Sequence, residues 1–503
     1  MSNDPLFPRS SGILLHVTSL PGPWGIGDLG PSAYHFVDWL ASSGQSFWQV
    51  LPVGPTGYGD SPYALLSLFG GNPLLISLDA LVDDGLLPAS DRPSAENGAG
   101  ARRVDYGQVV ATKLGILQRA VETFHHEASA EEKARFEAFA DGQASWLDSY
   151  SRFMALKNQN GGRPWHEWVN LKPEADALLF QRVVQYWFHR QWAGLRSYAR
   201  ERSIQLIGDV PIYPAYDSAD VWGHPEYYQV DDAGRPTAVA GVPPDYFSPT
   251  GQLWGNPLYD WDSLRRDGFR WWINRLRYLG ELFDVLRLDH FRGFAAYWRV
   301  PAGEPTAQNG EWVSAPGREL FEALIGSGML RTDGGTSGVR IIAEDLGLIT
   351  DDVIALRERF GFPGMRVLQF GFDGHPENLH LPHNYERNLV AYTSTHDNDT
   401  CIGWYATLDQ MTRDLVQWYL GHDPSQWNFV RYIAASPARV AIFPLQDVLG
   451  LDSSARMNFP GRTGDNWAWR FTWDQVTGDV TDRLKFIVER YARSRVESST
   501  AEK

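Results

Sequence analysis

Eight short β-rich runs, separated by stretches with helical periodicity, constrain this chain more than any other feature. They are GILLHV (12–17), SFWQVLP (46–52), IQLIGDVPI (204–212), FDVLRLDHF (283–291), VRIIAEDLG (339–347), GMRVLQF (364–370), NLVAYTS (388–394) and RVAIFP (439–444). After the first run, Pro31 suits a first helical position, and Ala33, Phe36, Val37 and Leu40 fall on one helical face. Before the fourth, Phe269, Trp272, Ile273, Leu276 and Leu279 fall at helical spacing. Strands alternating with helices predict an α/β fold, a closed (β/α)8 TIM barrel.

The spacing of the runs is uneven. About 150 residues separate the second from the third and about 70 the third from the fourth, too many for simple crossovers. These gaps predict inserted, largely helical subdomains. The expected division gives 1–70 and 170–503 to the barrel, 71–169 to a helical insert and 211–265 to a loop-rich insert. Helical segments are expected around 107–124, 129–140 and 142–157. GVPPDYFSPTGQLWGNPLYDW (241–261) is expected to be irregular because of its Pro and Gly content.

Composition narrows the function. The formal net charge is −16, which repels phosphate backbones and anionic lipid, so neither nucleic acid nor a membrane is an expected partner. A single cysteine, Cys401, allows no internal disulfide and points to a cytoplasmic protein. The opening MSNDPLFPRSSGILLHV lacks a basic stretch followed by a sustained apolar run, so no signal peptide is expected. No window is apolar for long enough to span a bilayer. The 21 Trp, 21 Tyr and 25 Phe suit a carbohydrate ligand, because aromatic rings stack on the apolar faces of sugars.

In such a barrel the chemistry sits where the strands end. Acids end several of them: Asp209 the third, Asp289 the fourth, Glu344 the fifth, and Asp397 just beyond the seventh, beside His396. Side chains alternate along a strand, so Arg287 and Asp289 share the interior face while Leu286 and Leu288 face the outer helices. An Arg one layer below a carboxylate favours its ionised form and fixes its orientation. Glu344 instead follows the apolar run Ile341, Ile342 and Ala343, and desolvation raises a carboxyl pKa. Asp289 is therefore the expected nucleophile and Glu344 the expected acid/base of a retaining glycoside reaction. Taken singly, each acid is better explained as a helix cap or an Arg partner; three strand ends bearing acids, one with an Arg on its own face, shift the balance. HDND (396–399) also offers one His and two Asp for a divalent cation, but no second His stands nearby at ligand spacing, and no metal site is expected.

LRLDHFRGF (286–294), IIAEDLG (341–347) and TSTHDNDT (393–400) resemble the catalytic blocks of the amylomaltases, or 4-α-glucanotransferases, relatives of the α-amylase superfamily. GYGDSPY (57–63), GDVPIY (208–213), DSADVW (217–222) and DYFSPTGQLWGNPLYDW (245–261) extend the resemblance, which runs from about residue 9 to about 490. One departure is Ala295 in RGFAAYW, where many members carry Glu. The resemblance implies Asp289 as nucleophile, Glu344 as acid/base and Asp397 as a third carboxylate gripping sugar hydroxyls. It implies substrate contacts from Tyr58, Asp209, Arg287, His396, Gln252 and Trp254, with Tyr246 and Phe247 as a lid. It also implies transfer of an α-1,4-glucan segment to the 4-hydroxyl of another glucan or of glucose, without metal or organic cofactor. A glucan hydrolase would use the same acids, and a non-catalytic glucan-binding protein is the remaining alternative.

Overall fold

The computed structural model describes residues 6–93, 100–244, 248–332, 338–462 and 464–494. Among these, twelve strands form: β1 (Ser10–Leu14), β2 (Phe47–Gln49), β3 (Gln205–Val210), β4 (Ala238–Val242), β5 (Gln252–Pro257), β6 (Val285–Leu288), β7 (Ala296–Pro301), β8 (Glu311–Ser314), β9 (Arg340–Ala343), β10 (Gly364–Val367), β11 (Leu389–Tyr392) and β12 (Val440–Pro444). Eight make one sheet in the order β10-β11-β12-β1-β2-β3-β6-β9, every ladder parallel. Each of the eight β-rich runs contributes one strand, and the sheet curls into a nearly closed barrel.

The seam lies between β9 and β10. There the Ala343 N–H donates to the Pro363 carbonyl at 2.9 Å, and the Met365 N–H donates to Asp345 Oδ1 at 2.7 Å. Arg357 and Arg366 pair with the same buried carboxylate at 3.1 and 3.3 Å. A side chain thus completes what a ladder would otherwise close.

The strands form where the alternation predicts. Leu286 and Leu288 are buried among apolar neighbours, and Arg287 points into the barrel against Met365. Register sets Arg287 opposite Asp209 on β3 and Ile342 on β9, so the polar layer is built across neighbouring strands. Pro31 opens the helix Pro31–Ser42, whose Ala33, Phe36, Val37 and Leu40 are all buried.

Between β2 and β3 run the helices Tyr106–Glu127, Ala130–Gly142 and Ala144–Gln159, then the long crossover helix Ala175–Glu201. Asp105 and Ser129 cap the first two by accepting from the N–H groups of Gln108 and Glu132. Ion pairs tie these helices to the rest of the fold: buried Lys113 with Asp28 at 3.1 Å, Lys157 with Asp217 of the DSADVW block, and Arg196 with Asp284, just before β6, at 2.9 Å.

The expectation that 241–261 is irregular is wrong. It holds the end of β4 and all of β5, part of a four-stranded antiparallel sheet in the order β5-β4-β7-β8. Its prolines fall where a sheet tolerates them: Pro243 and Pro244 just after β4, Pro249 in the turn before β5, and Pro257 as the last residue of the edge strand β5. Gly251 and Gly255 take positive φ around the irregular β4–β5 register. The other half of this sheet, β7 and β8, comes from the connection after β6. Among the described residues no helix is long and apolar enough to cross a membrane.

Candidate active site

The site is assembled at the C-terminal ends of β3, β6, β9 and β11. Arg287 is its electrostatic centre. Its Nη1 donates to both oxygens of Asp209, at 2.7 and 2.8 Å, and to Asp289 Oδ1 at 2.9 Å. The Arg287 and Asp209 side chains are 5% and 0% exposed, whereas that of Asp289 is 30% exposed and reaches the cleft. One guanidinium therefore holds a buried carboxylate behind it and an open one in front.

Directly after Asp289 the chain turns sharply, with His290 in the left-handed region at φ 52°. That conformation is uncommon for a residue with a side chain. Here it aims the His290 N–H at Glu344 Oε2, 2.7 Å away. The Leu346 N–H donates to Glu344 Oε1 at 3.0 Å. Burial raises the Glu344 carboxyl; Arg287 opposes it, the Asp289 charge reinforces it, and the two N–H donors oppose it. The outcome is about 7. The desolvation expected from Ile341–Ala343 is thus the leading cause, since all three are fully buried.

Asp397 lies beyond β11. His396 Nε2 is 3.2 Å from Asp397 Oδ2 and 2.8 Å from the Tyr63 hydroxyl, which also donates to Asp209 Oδ2 at 2.8 Å. Asn458 donates to Asp397 Oδ1 at 2.7 Å, and Arg456 to its backbone carbonyl at 2.7 Å. Burial alone would raise the Asp397 carboxyl, but His396 and Asn458 outweigh it and hold the group well below the usual carboxylate range. Conversely, burial would lower His396, and Asp397 outweighs that and raises it. His396 and Asp397 thus form a charge-assisted pair, with the Asp397 side chain 48% exposed and lining the cleft.

The walls of the open cleft include Tyr63, Tyr213, Asp289, His396, Asp397 and Trp467. Tyr58 stands at its rim, 81% exposed. Trp254 also lines it, edge-on to the His290 ring at 4.7 Å, and donates to Gln252 Oε1 at 3.2 Å. Gln252 is exposed beside it. Tyr246 and Phe247 lie outside the described residues.

Of the residues singled out in the sequence, Asp289, Asp397, Arg287 and His396 converge, with Glu344 behind the His290 turn. Asp209 converges too, but its carboxylate is spent on Arg287 and Tyr63, away from the cleft. Three groups carried no individual signal. Tyr63 was visible only inside GYGDSPY; Asn458 and Arg456 sit in an irregular loop after the last strand. Among the described residues no three His, Cys, Asp or Glu side chains cluster as metal ligands.

A (β/α)8 barrel whose cleft is walled by acids and aromatic rings, with a raised carboxyl beside an arginine-bound one, defines a carbohydrate-active enzyme. Comparison with known proteins agrees. Residues 15–476 match the family described as 4-alpha-glucanotransferase. The chain is 47% identical to the 4-alpha-glucanotransferase of Thermus thermophilus, over 97% of this chain and 99% of that one. It is 46% identical to that of Synechocystis, over 96% and 98%. The solved structure of amylomaltase from Streptococcus agalactiae in complex with acarbose matches with a TM-score of 0.90 and 36% identity, over 97% of this chain and 100% of that one. The chain belongs to the 4-alpha-glucanotransferase family, and its activity is that transfer reaction on α-glucans.

Proposed function

We propose that Asp289 is the nucleophile, Glu344 the acid/base and Asp397 the transition-state grip of a retaining double displacement on α-1,4-glucans. In the first step an Asp289 oxygen bonds to the anomeric carbon of the donor as the glycosidic C–O bond breaks. Glu344 gives its proton to the departing oxygen. In the second, the 4-hydroxyl of another glucan or of glucose attacks the same carbon, Glu344 takes the hydroxyl proton, and Asp289 leaves as carboxylate. Asp397, charged and open to the cleft, accepts sugar hydroxyls as positive charge develops on the ring.

The observation that carries this reading is the contrast between neighbouring acids. Glu344 is raised to about 7 and holds a proton to give, while Asp289 is bonded to a buried guanidinium. Tyr58 and Trp254 are the proposed sugar-stacking surfaces, with Gln252 orienting Trp254. Tyr246 and Phe247 are the proposed lid, disfavouring water over a sugar acceptor. His396 and Arg287 hold the acids in place. Asp209 is reassigned: being buried, it sets Arg287 and Tyr63 and does not touch substrate. The acarbose held by the Streptococcus agalactiae relative supports an oligosaccharide in this cleft. The single, buried Cys401 supports a cytoplasmic setting.

Incubation with maltotriose tests the reaction class. Transfer gives glucose together with maltodextrins longer than maltotriose. Products no longer than maltotriose, with steadily rising reducing ends, mean hydrolysis and overturn the reading.

A further inference from the structure

Asp447 lies in the helix Leu445–Val448, just after β12, and is 1% exposed. Its Oδ2 accepts from the Thr393 and Ser394 hydroxyls, both at 2.6 Å, and lies 3.3 Å from the Cys401 thiol. Its Oδ1 accepts from the Cys401 backbone N–H at 2.7 Å. Among the described residues no cationic side chain forms an ion pair with it. Burial raises its pKa, and the hydroxyl and N–H donors oppose that.

A buried carboxylate with no cation is expensive, and an apolar side chain of similar size would cost the fold less. What Asp447 gains is geometric. Thr393 and Ser394 are the residues immediately after β11, and Cys401 opens the helix Cys401–Thr407. Between them runs the segment 395–400, which carries His396 and Asp397. One carboxylate therefore pins both ends of the segment that presents the third acid. Other ties hold single residues of that segment: Asn398 accepts from Thr395, Gln369 donates to the Asp399 carbonyl at 2.8 Å, Ser453 donates to Asp399 at 2.6 Å, and Asn458 and Arg456 each donate to Asp397 at 2.7 Å. Among the described residues only Asp447 gathers the start and the end together.

We propose that Asp447 is a positioning residue for glucan transfer, acting through Asp397 by fixing the loop that carries it. The inference rests on the role given to Asp397 above. Asp447 touches neither the cleft nor the sugar, so it acts on where Asp397 stands when the transition state forms. A misplacement of about 1 Å at such a group costs on the order of 100-fold in rate.

The test is a cycle of Asp447→Asn, Asp397→Asn and the double variant, with kcat and KM for maltotriose disproportionation. Asp447→Asn keeps the side-chain shape. It retains one acceptor for the Cys401 N–H but replaces the oxygen that accepts from both hydroxyls with an NH2 donor, so the ties to Thr393 and Ser394 are lost as they stand and only the Cys401 end stays pinned. Ser394→Ala, which removes one 2.6 Å bond and leaves Asp447 in place, is the second variant. Asp447→Asn is expected to lower kcat about 100-fold with KM within about two-fold. Ser394→Ala should lower kcat by a smaller factor in the same direction. The double variant should be no slower than Asp397→Asn alone, because the effect passes through that residue. Three results overturn the inference while leaving the role of Asp397 standing: unchanged kcat in Asp447→Asn, a loss confined to thermal stability, or losses that multiply in the double variant. Near-normal activity of Asp397→Asn overturns the role of Asp397 itself, and this inference with it.

Discussion

Arg287→Met is the most informative single perturbation of the site. Met matches the Arg stem but removes three charged contacts, two to Asp209 and one to Asp289. The Asp289 contact is partly solvated and contributes little to stability. The Asp209 contact is different, because that carboxylate is fully buried, with Tyr63 the one donor left to it among the described residues. Removing one partner of a buried pair costs about 3–5 kcal/mol, chiefly from the charge left behind. Burial already raises the Asp209 carboxyl against the pull of Arg287. Without the Arg it rises further, and the folded state binds a proton that the unfolded state has released. The penalty is therefore smaller at pH 5 and larger at pH 8. Urea unfolding at both pH values measures it. Arg287→Met combined with Asp209→Asn should regain more than half of the lost stability, since no buried charge then remains. Activity should stay lost, because Asp289 is still unanchored. A loss below about 1 kcal/mol in Arg287→Met, or a double variant as unstable as the single, would refute the reasoning.

Other outcomes follow from the same geometry. The rate of donor cleavage should fall as pH rises through about 7, where Glu344 loses the proton it gives; a flat profile from pH 6 to 8 contradicts this. Because the folded Glu344 is raised above its ordinary 4.5, its contribution to stability is full below that value and lost as pH rises toward about 7. Glu344→Gln should therefore flatten the stability profile across that window, as read by thermal unfolding. Tyr58→Ala, at an exposed rim position, should leave stability within about 0.5 kcal/mol but raise KM for maltodextrins. Tyr246→Ala should raise reducing-end release relative to transfer, and an unchanged ratio counts against a lid.

The barrel was legible because each of its strands is a short, mostly apolar run bounded by helical periodicity, a strong signal for a sheet covered on its outer face. The acids were legible for a related reason: a strand's alternation fixes which side chains face inward, and so joined Arg287 to Asp289. What escaped was set by distant partners. β5 reads as loop from its Pro and Gly, and becomes a strand only because β4 lies beside it in an antiparallel sheet completed by β7 and β8. Asp209 reads as a strand-end acid like Asp289, yet register against β6 turns it onto Arg287 and buries it. Tyr63 joins Asp209 to His396 across 146 and 333 positions of sequence, and Asn458 reaches Asp397 across 61, separations that no local pattern encodes.

The central claim is that the donor sugar is carried on Asp289. In Glu344→Gln a maltosyl fluoride, whose leaving group needs no proton, should still complete the first step while the second stalls. Mass spectrometry of the intact protein and its peptides should then find one maltosyl unit, attached to the peptide that contains Asp289. An unmodified protein after donor consumption, or the sugar on Asp397 instead, would contradict the account.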